Sequence, residues 1–295
     1  MHAYIYPGQG TQFPGMGKSL FDKSKIAREL FYKANDILGF SISDIMFEGT
    51  AEDLKQTKIT QPAIFLHSFI LTNILGKDFK PDMVAGHSLG EITALAVAGV
   101  LDFESALRLI FKRASTMNKV CEVENTGMAV IVGLYDVIVE NICKQVNGIV
   151  VPANYNTLKQ VVISGDLSSI EEVKRKTDLK GVKVVNLPVS GAFHSPYMNP
   201  VIDEFKSEIE GLKFNKPSCP VYQNVTARPS KSIPLIKRNL INQLIMPVKW
   251  RHSVLHMIED GAVKFTEVGP GNFLSSTIRK IDSKVNIQSV SKFIE

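Results

Sequence analysis

Only three cysteines occur among the 295 residues, Cys121, Cys143 and Cys219, and no two of them form a C-x-x-C pair. This excludes a disulfide framework and a cysteine-built zinc site, so reduced, inert thiols and no bound metal are expected. Runs of like charge are also missing. Thirty-four Lys+Arg against 29 Asp+Glu leave a diffuse net charge of +5, which argues against a nucleic-acid-binding tail but permits an acidic partner or an anionic substrate. The opening Met1-His2-Ala3-Tyr4-Ile5-Tyr6-Pro7 lacks the charged and apolar regions of a secretion signal. No stretch reaches about 18 uninterrupted apolar residues, so no membrane span is expected. Internal repeats and low-complexity segments are absent. The expectation is a soluble, cytoplasmic enzyme.

What the chain does have is enough apolar material, 44% of its residues, for one large α/β domain or a large one with a smaller companion. Its most informative stretch is Gly86-His87-Ser88-Leu89-Gly90. Met83-Val84-Ala85 reads as the end of a strand before it, and Leu89 to Val100 as an apolar helix after it. A G-x-S-x-G run between strand and helix describes a nucleophile elbow. The sharp turn projects the Ser88 hydroxyl clear of the sheet, and the backbone N–H of Leu89 at the helix N-terminus faces a developing oxyanion. Acyl transfer is the chemistry that such a turn serves.

Ala3-Tyr4-Ile5-Tyr6 reads as a buried strand running into the Gly-rich loop Pro7-Gly8-Gln9-Gly10-Thr11-Gln12. Helical spacing of Ile26, Leu30, Ala34 and Ile37 follows, and Pro62 is expected to open a helix apolar on most sides. Another helix is predicted over Phe103 to Val120, with Arg113 on it. From Gly127 the pattern becomes strand (128–134), helix (136–147), strand (149–154), strand (160–164), helix (168–179) and strand (182–187). This β-α-β-β-α-β order is ferredoxin-like, with Ser168 and Glu171 as a capping box for its second helix. The fold class expected is therefore α/β. Residues 1–122 and 191–295 would form a large α/β-hydrolase-like domain with a parallel sheet, and residues 123–190 an inserted small ferredoxin-like α+β domain.

A serine hydroxyl needs a base to take its proton. Six histidines are available. His87 sits on the strained turn and would point elsewhere, His67 lies in the apolar helix, His2 is terminal, and His252 and His256 share a helix face that could be solvated. His194, in Ser190-Gly191-Ala192-Phe193-His194-Ser195-Pro196, falls in a loop at the junction of the two inferred domains and is the candidate base.

Five motifs and one arginine then share a pattern. Pro7-Gly8-Gln9-Gly10-Thr11-Gln12, Gly86-His87-Ser88-Leu89-Gly90-Glu91, Arg113, Gly191-Ala192-Phe193-His194-Ser195, Gln243-Leu244 with Pro247-Val248-Lys249-Trp250, and Glu267-Val268-Gly269-Pro270-Gly271 run in order over nearly the whole chain. Together they resemble the malonyl-CoA:acyl carrier protein transacylase family. The stand-alone length and Gly15-Met16-Gly17 are similar to a discrete, trans-acting acyltransferase of a polyketide synthase.

The resemblance implies that Ser88 becomes a malonyl ester, that His194 is the general base, and that backbone N–H groups of Gln9 and Leu89 form the oxyanion hole. It implies no carboxylate third member, the histidine being oriented by the backbone carbonyl of Gln243. Arg113 would pair bidentately with the free carboxylate of malonyl. Met117 would line the acyl pocket, Asn156 with Asn154 would meet the coenzyme A arm, and Phe193 would fill the space that an α-methyl needs. The implied partners are a coenzyme A thioester as substrate and an acyl carrier protein as acceptor, with no further cofactor and a monomeric enzyme. An acyl hydrolase of the same fold, an editing thioesterase, is the alternative. Arg113 discriminates, because an enzyme for uncharged acyl chains gains nothing by burying a guanidinium.

Overall fold

The computed structural model describes residues 1–290. Among these, ten strands form two sheets: β1 His2–Tyr6, β2 Met83–Gly86, β3 Thr126–Val132, β4 Val150–Thr157, β5 Gln160–Asp166, β6 Lys183–Asn186, β7 Val221–Gln223, β8 Arg228–Ser230, β9 Lys264–Glu267 and β10 Asn286–Ser289. The larger sheet has the order β10-β9-β1-β2-β7-β8 and is parallel except where β8 turns back on β7. Its central strands β1 and β2 are almost wholly buried, as expected for parallel strands covered by helices on both faces.

The smaller sheet, β4-β5-β3-β6, is antiparallel throughout and carries the helices Asp136–Lys144 and Leu167–Lys176 on one side. This strand order is that of a ferredoxin-like unit. Its own apolar core includes Ala129, Ile131, Val161, Ile163, Ile170 and Val173. The two sheets are stitched together where β4 meets the Pro247-Val248-Lys249 segment. Tyr155 N–H donates to the Val248 carbonyl at 2.9 Å, and Val248 N–H to the Ala153 carbonyl at 2.8 Å.

Three local expectations are corrected. Pro62 does not open its helix, which runs Thr57–Leu75 with the proline inside. The Thr60 hydroxyl donates to the Leu54 and Gln56 carbonyls, so the first turn is organised upstream of the proline. Ser168 and Glu171 form no capping box, because the helix starts at Leu167 and the preceding Asp166 side chain is taken by Ile149 N–H at 2.7 Å and by the hydroxyls of Ser169 and Tyr197. Of the four residues at helical spacing in the Lys25–Leu38 helix, Ala34 is buried and Leu30 and Ile37 pack partly buried against the core, but Ile26 is exposed, and Ala27 and Phe31 complete the buried face.

The Thr57–Leu75 helix is the one element among the described residues long and apolar enough to cross a membrane. It is a core helix, with Ala63, Ile64, Phe65, Leu66, Ile70 and Leu71 fully buried, and it packs on the Phe103–Cys121 helix. This packing brings Gln61 against the residues that face Ser88.

Candidate active site

Strand β2 ends at an elbow that two glycines make possible. A Cβ on Gly86 would lie 1.8 Å from the Gly90 carbonyl oxygen, and one on Gly90 2.3 Å from that of Tyr6, so neither position admits a side chain without moving backbone. Between them Ser88 is held at φ 54°, a left-handed conformation that costs a non-glycine residue of order 1 kcal/mol or more and marks a site built for function. The turn is pinned by Ser88 N–H donating to Asn224 Oδ1 at 2.8 Å and Asn224 Nδ2 donating to the Gly86 carbonyl at 2.7 Å. The Gly90–Val97 helix follows directly. Among the described residues no acceptor takes up the backbone N–H of Leu89 or that of Gln9, and both residues border the same cleft as Ser88.

His194 enters from the loop after β6, at φ 57° and 3% exposed. The loop is tied down by Ser164 Oγ donating to the Phe193 carbonyl at 2.7 Å, Ala192 N–H to Thr126 Oγ1 at 3.1 Å, and Ser195 Oγ to the Ala192 carbonyl at 2.6 Å. The imidazole spans Ser88 and Gln243, with Nε2 2.7 Å from Ser88 Oγ and Nδ1 2.6 Å from the Gln243 backbone carbonyl. A carbonyl only accepts, so the proton belongs on Nδ1 and Nε2 is left as the acceptor for the serine O–H. Burial, reinforced by the Arg113 charge, pulls the imidazole down to about 3. The ring is therefore neutral at physiological pH, the form that a base requires.

The other histidines are engaged elsewhere. His87 Nε2 meets Asn156 Oδ1 at 2.9 Å, with its ring beside Trp250 and Phe273, and burial lowers it to about 4. His2 bonds Thr266, and His256 bonds the Ala227 carbonyl. His67 lies within the Thr57–Leu75 core helix.

Arg113 projects from the Phe103–Cys121 helix and is 1% exposed. Its guanidinium donates to Gln61 Oε1 at 2.7 Å, Ser88 Oγ at 3.1 Å and Gln243 Oε1 at 3.0 Å. One turn later Met117 presents its sulfur to Gln61 Nε2 at 3.7 Å. Gln9, Ser88, Met117, Met128, Phe193 and His194 line a small cavity of about 80 Å³. Asn154 also borders it, whereas Asn156 is turned onto His87. Asn156 thus supports a histidine beside the elbow and does not face the cleft.

Three participants escaped the sequence analysis: Gln61, Asn224 and the side chain of Gln243. Gln243 Nε2 reaches the Ser88 carbonyl at 3.1 Å, Glu91 Oε2 at 3.0 Å and Asn224 Oδ1 at 3.1 Å. Glu91 was visible as a lone carboxylate in an otherwise apolar helix, the only signal that the sequence carried for this network.

A parallel sheet that delivers an elbow serine to a neutral, carbonyl-oriented histidine defines an enzyme of the acyl-transfer class. Residues 3–291 match the acyl transferase domain family, and the chain belongs to that family. It is 40% identical over 286 residues to the polyketide biosynthesis malonyl CoA-acyl carrier protein transacylase PksC of Bacillus subtilis, spanning 95% of this chain and 97% of that protein. The malonyl CoA-acyl carrier protein transacylase of Coxiella burnetii superposes with a TM-score of 0.95 at 34% identity, over 99% of this chain and 95% of that one. A malonyl-transacylase solved in complex with its type II polyketide synthase acyl-carrier protein gives 0.94 at 33% identity, over 98% and 95%.

Proposed function

We propose that this enzyme moves a malonyl group from malonyl-CoA to the phosphopantetheine thiol of an acyl carrier protein, in fatty-acid or polyketide synthesis, in the cytoplasm and without a further cofactor. The observation that carries the reading is the continuous line Ser88 Oγ, His194, Gln243 carbonyl, at 2.7 and 2.6 Å, with the buried Arg113 guanidinium 3.1 Å from the same oxygen. In the first half-reaction Ser88 gives its proton to His194 Nε2, and its oxygen attacks the thioester carbonyl. The N–H groups of Gln9 and Leu89 hold the oxyanion. Collapse breaks the carbon–sulfur bond, and His194 returns the proton to the departing coenzyme A thiolate. The second half-reaction is the reverse, with the carrier thiol as nucleophile giving its proton to His194. A hydrolase for uncharged acyl chains would have no use for the buried Arg113.

Arg113 tests the substrate assignment. Leaving the malonyl carboxylate without its partner should cost roughly 2 to 5 kcal/mol, about 30-fold to several thousand-fold in malonyl transfer. Arg113→Ala should therefore lose malonyl transfer while keeping or gaining acetyl transfer, measured side by side from the two coenzyme A thioesters. An unchanged malonyl-to-acetyl ratio would remove Arg113 from the carboxylate site.

The acceptor side is testable through salt. Carrier proteins are acidic, and this chain has a net charge of +5, so docking should be steered electrostatically and screened over about 8 to 10 Å at moderate ionic strength. Transfer to the carrier should fall as salt rises from about 0.05 to 0.5 M, while self-malonylation from malonyl-CoA falls less. Equal sensitivity of the two half-reactions would contradict charge-guided docking.

A further inference from the structure

The Gly90–Val97 helix is buried on nearly every side, yet its second residue is a glutamate only 1% exposed. Burying a lone carboxylate costs several kcal/mol unless donors meet it. Three do so here. Asn224 N–H and Gln243 Nε2 reach Oε2 at 2.7 and 3.0 Å, and Gln223 Nε2 reaches Oε1 at 3.2 Å. All three partners donate and none accepts, so the setting is built for the ionised form. The helix N-terminus favours the same sign of charge. Glu91 does not border the cavity at Ser88.

Two of the three residues that Glu91 grips, Asn224 and Gln243, hold the reacting pair. Asn224 fastens the elbow through Ser88 N–H and the Gly86 carbonyl. Gln243 gives its backbone carbonyl to His194 and its side-chain oxygen to Arg113. The Gln243 amide therefore lies between an anion and a cation, amino end to Glu91 and oxygen end to Arg113. Only one orientation satisfies both, since a flipped amide would set donor against donor and acceptor against acceptor. The same amide stands between Glu91 and Arg113. The guanidinium thus keeps its charge and its spare donors for an incoming carboxylate instead of spending them on an internal ion pair.

We propose that Glu91 is a positioning residue of the transfer reaction, its ionised carboxylate locking Gln243 and Asn224 so that Ser88, His194 and Arg113 share one geometry. This rests on the malonyl-transfer reading above. Among the described residues Arg113 is the other charged group acting on Glu91, and the hydrogen-bond partners of Glu91 are the side-chain amides of Gln223 and Gln243 and the backbone N–H of Asn224.

Ser88 acylation by malonyl-CoA, followed from pH 5 to 8 in wild type, Glu91→Gln, Gln243→Met and the double variant, tests the proposal. Glu91→Gln should lower kcat about 10- to 100-fold, as loss of reacting geometry does, with KM for malonyl-CoA little changed. The double variant should cost less than the two single losses combined, because the Glu91–Gln243 link is removed by either substitution. Burial raises Glu91 to about 7 while His194 stands near 3. The wild-type rate should consequently fall as pH drops through about 7 and discharges Glu91, and Glu91→Gln should be slow and flat across that range. If Glu91→Gln does not fold, Gln243→Met decides, with a loss in kcat and a shallower acid limb that keeps only the part Glu91 still transmits through Asn224. An acid limb in Gln243→Met as steep as that of the wild type overturns the proposal. Wild-type kcat with an intact acid limb in Glu91→Gln overturns the proposal, as do additive losses in the double variant. Failure of the wild type to acquire malonyl at all would instead contradict the underlying transfer reading.

Discussion

His194→Ala is expected to lower malonyl transfer by about three orders of magnitude or more while leaving the fold intact. The imidazole's Nδ1 proton is committed to the Gln243 carbonyl at 2.6 Å and its Nε2 accepts from Ser88 at 2.7 Å, so no other group in the site can take the serine proton in its place. Arg113, the other side chain touching Ser88 Oγ, is itself a donor. His87→Ala and His256→Ala serve as controls. Each should cost far less, because His87 spends its Nε2 on Asn156 and His256 binds the Ala227 carbonyl. Matched circular dichroism and single-turnover acylation rates on the three variants make the comparison. Near-wild-type rates in His194→Ala, with loss in either control, would assign the base elsewhere.

The parts of this architecture legible in the sequence are those fixed by local sterics and periodicity. The elbow could be read because Gly86 and Gly90 are dictated by backbone contacts within a few residues or with the neighbouring β1. The small sheet could be read because Met128 to Val132 and Gln160 to Ser164 are short runs rich in β-branched residues, bounded by Gly127, Gly133 and Gly165, and the chain order of its elements leaves few ways to pair them. What stayed hidden is long-range. Ser88 meets Asn224 across 136 positions, and Gln243 reaches the Ser88 carbonyl across 155, and an isolated Asn or Gln carries no pattern that announces such a partner. The contrast between Asn154 and Asn156 has a similar origin. Strand β4 slips register against β5 between Pro152 and Asn154 and again between Tyr155 and Thr157, and simple alternation does not reveal which asparagine faces the cleft. The proline in the Thr57–Leu75 helix misled for the opposite reason, since a strong local preference was overridden by tertiary burial of the whole helix.

Ser88→Ala should have the largest effect of all, because it removes the atom that carries the acyl group and leaves His194 with nothing to deprotonate. The most direct test of the account is the mass of the peptide containing Ser88 after brief exposure of wild type and Ser88→Ala to malonyl-CoA without acceptor. The wild-type peptide should gain one malonyl group, which a holo acyl carrier protein then removes, and the variant peptide should gain none. Labelling that survives in Ser88→Ala, or a malonyl adduct on any other peptide of the wild type, would contradict the account.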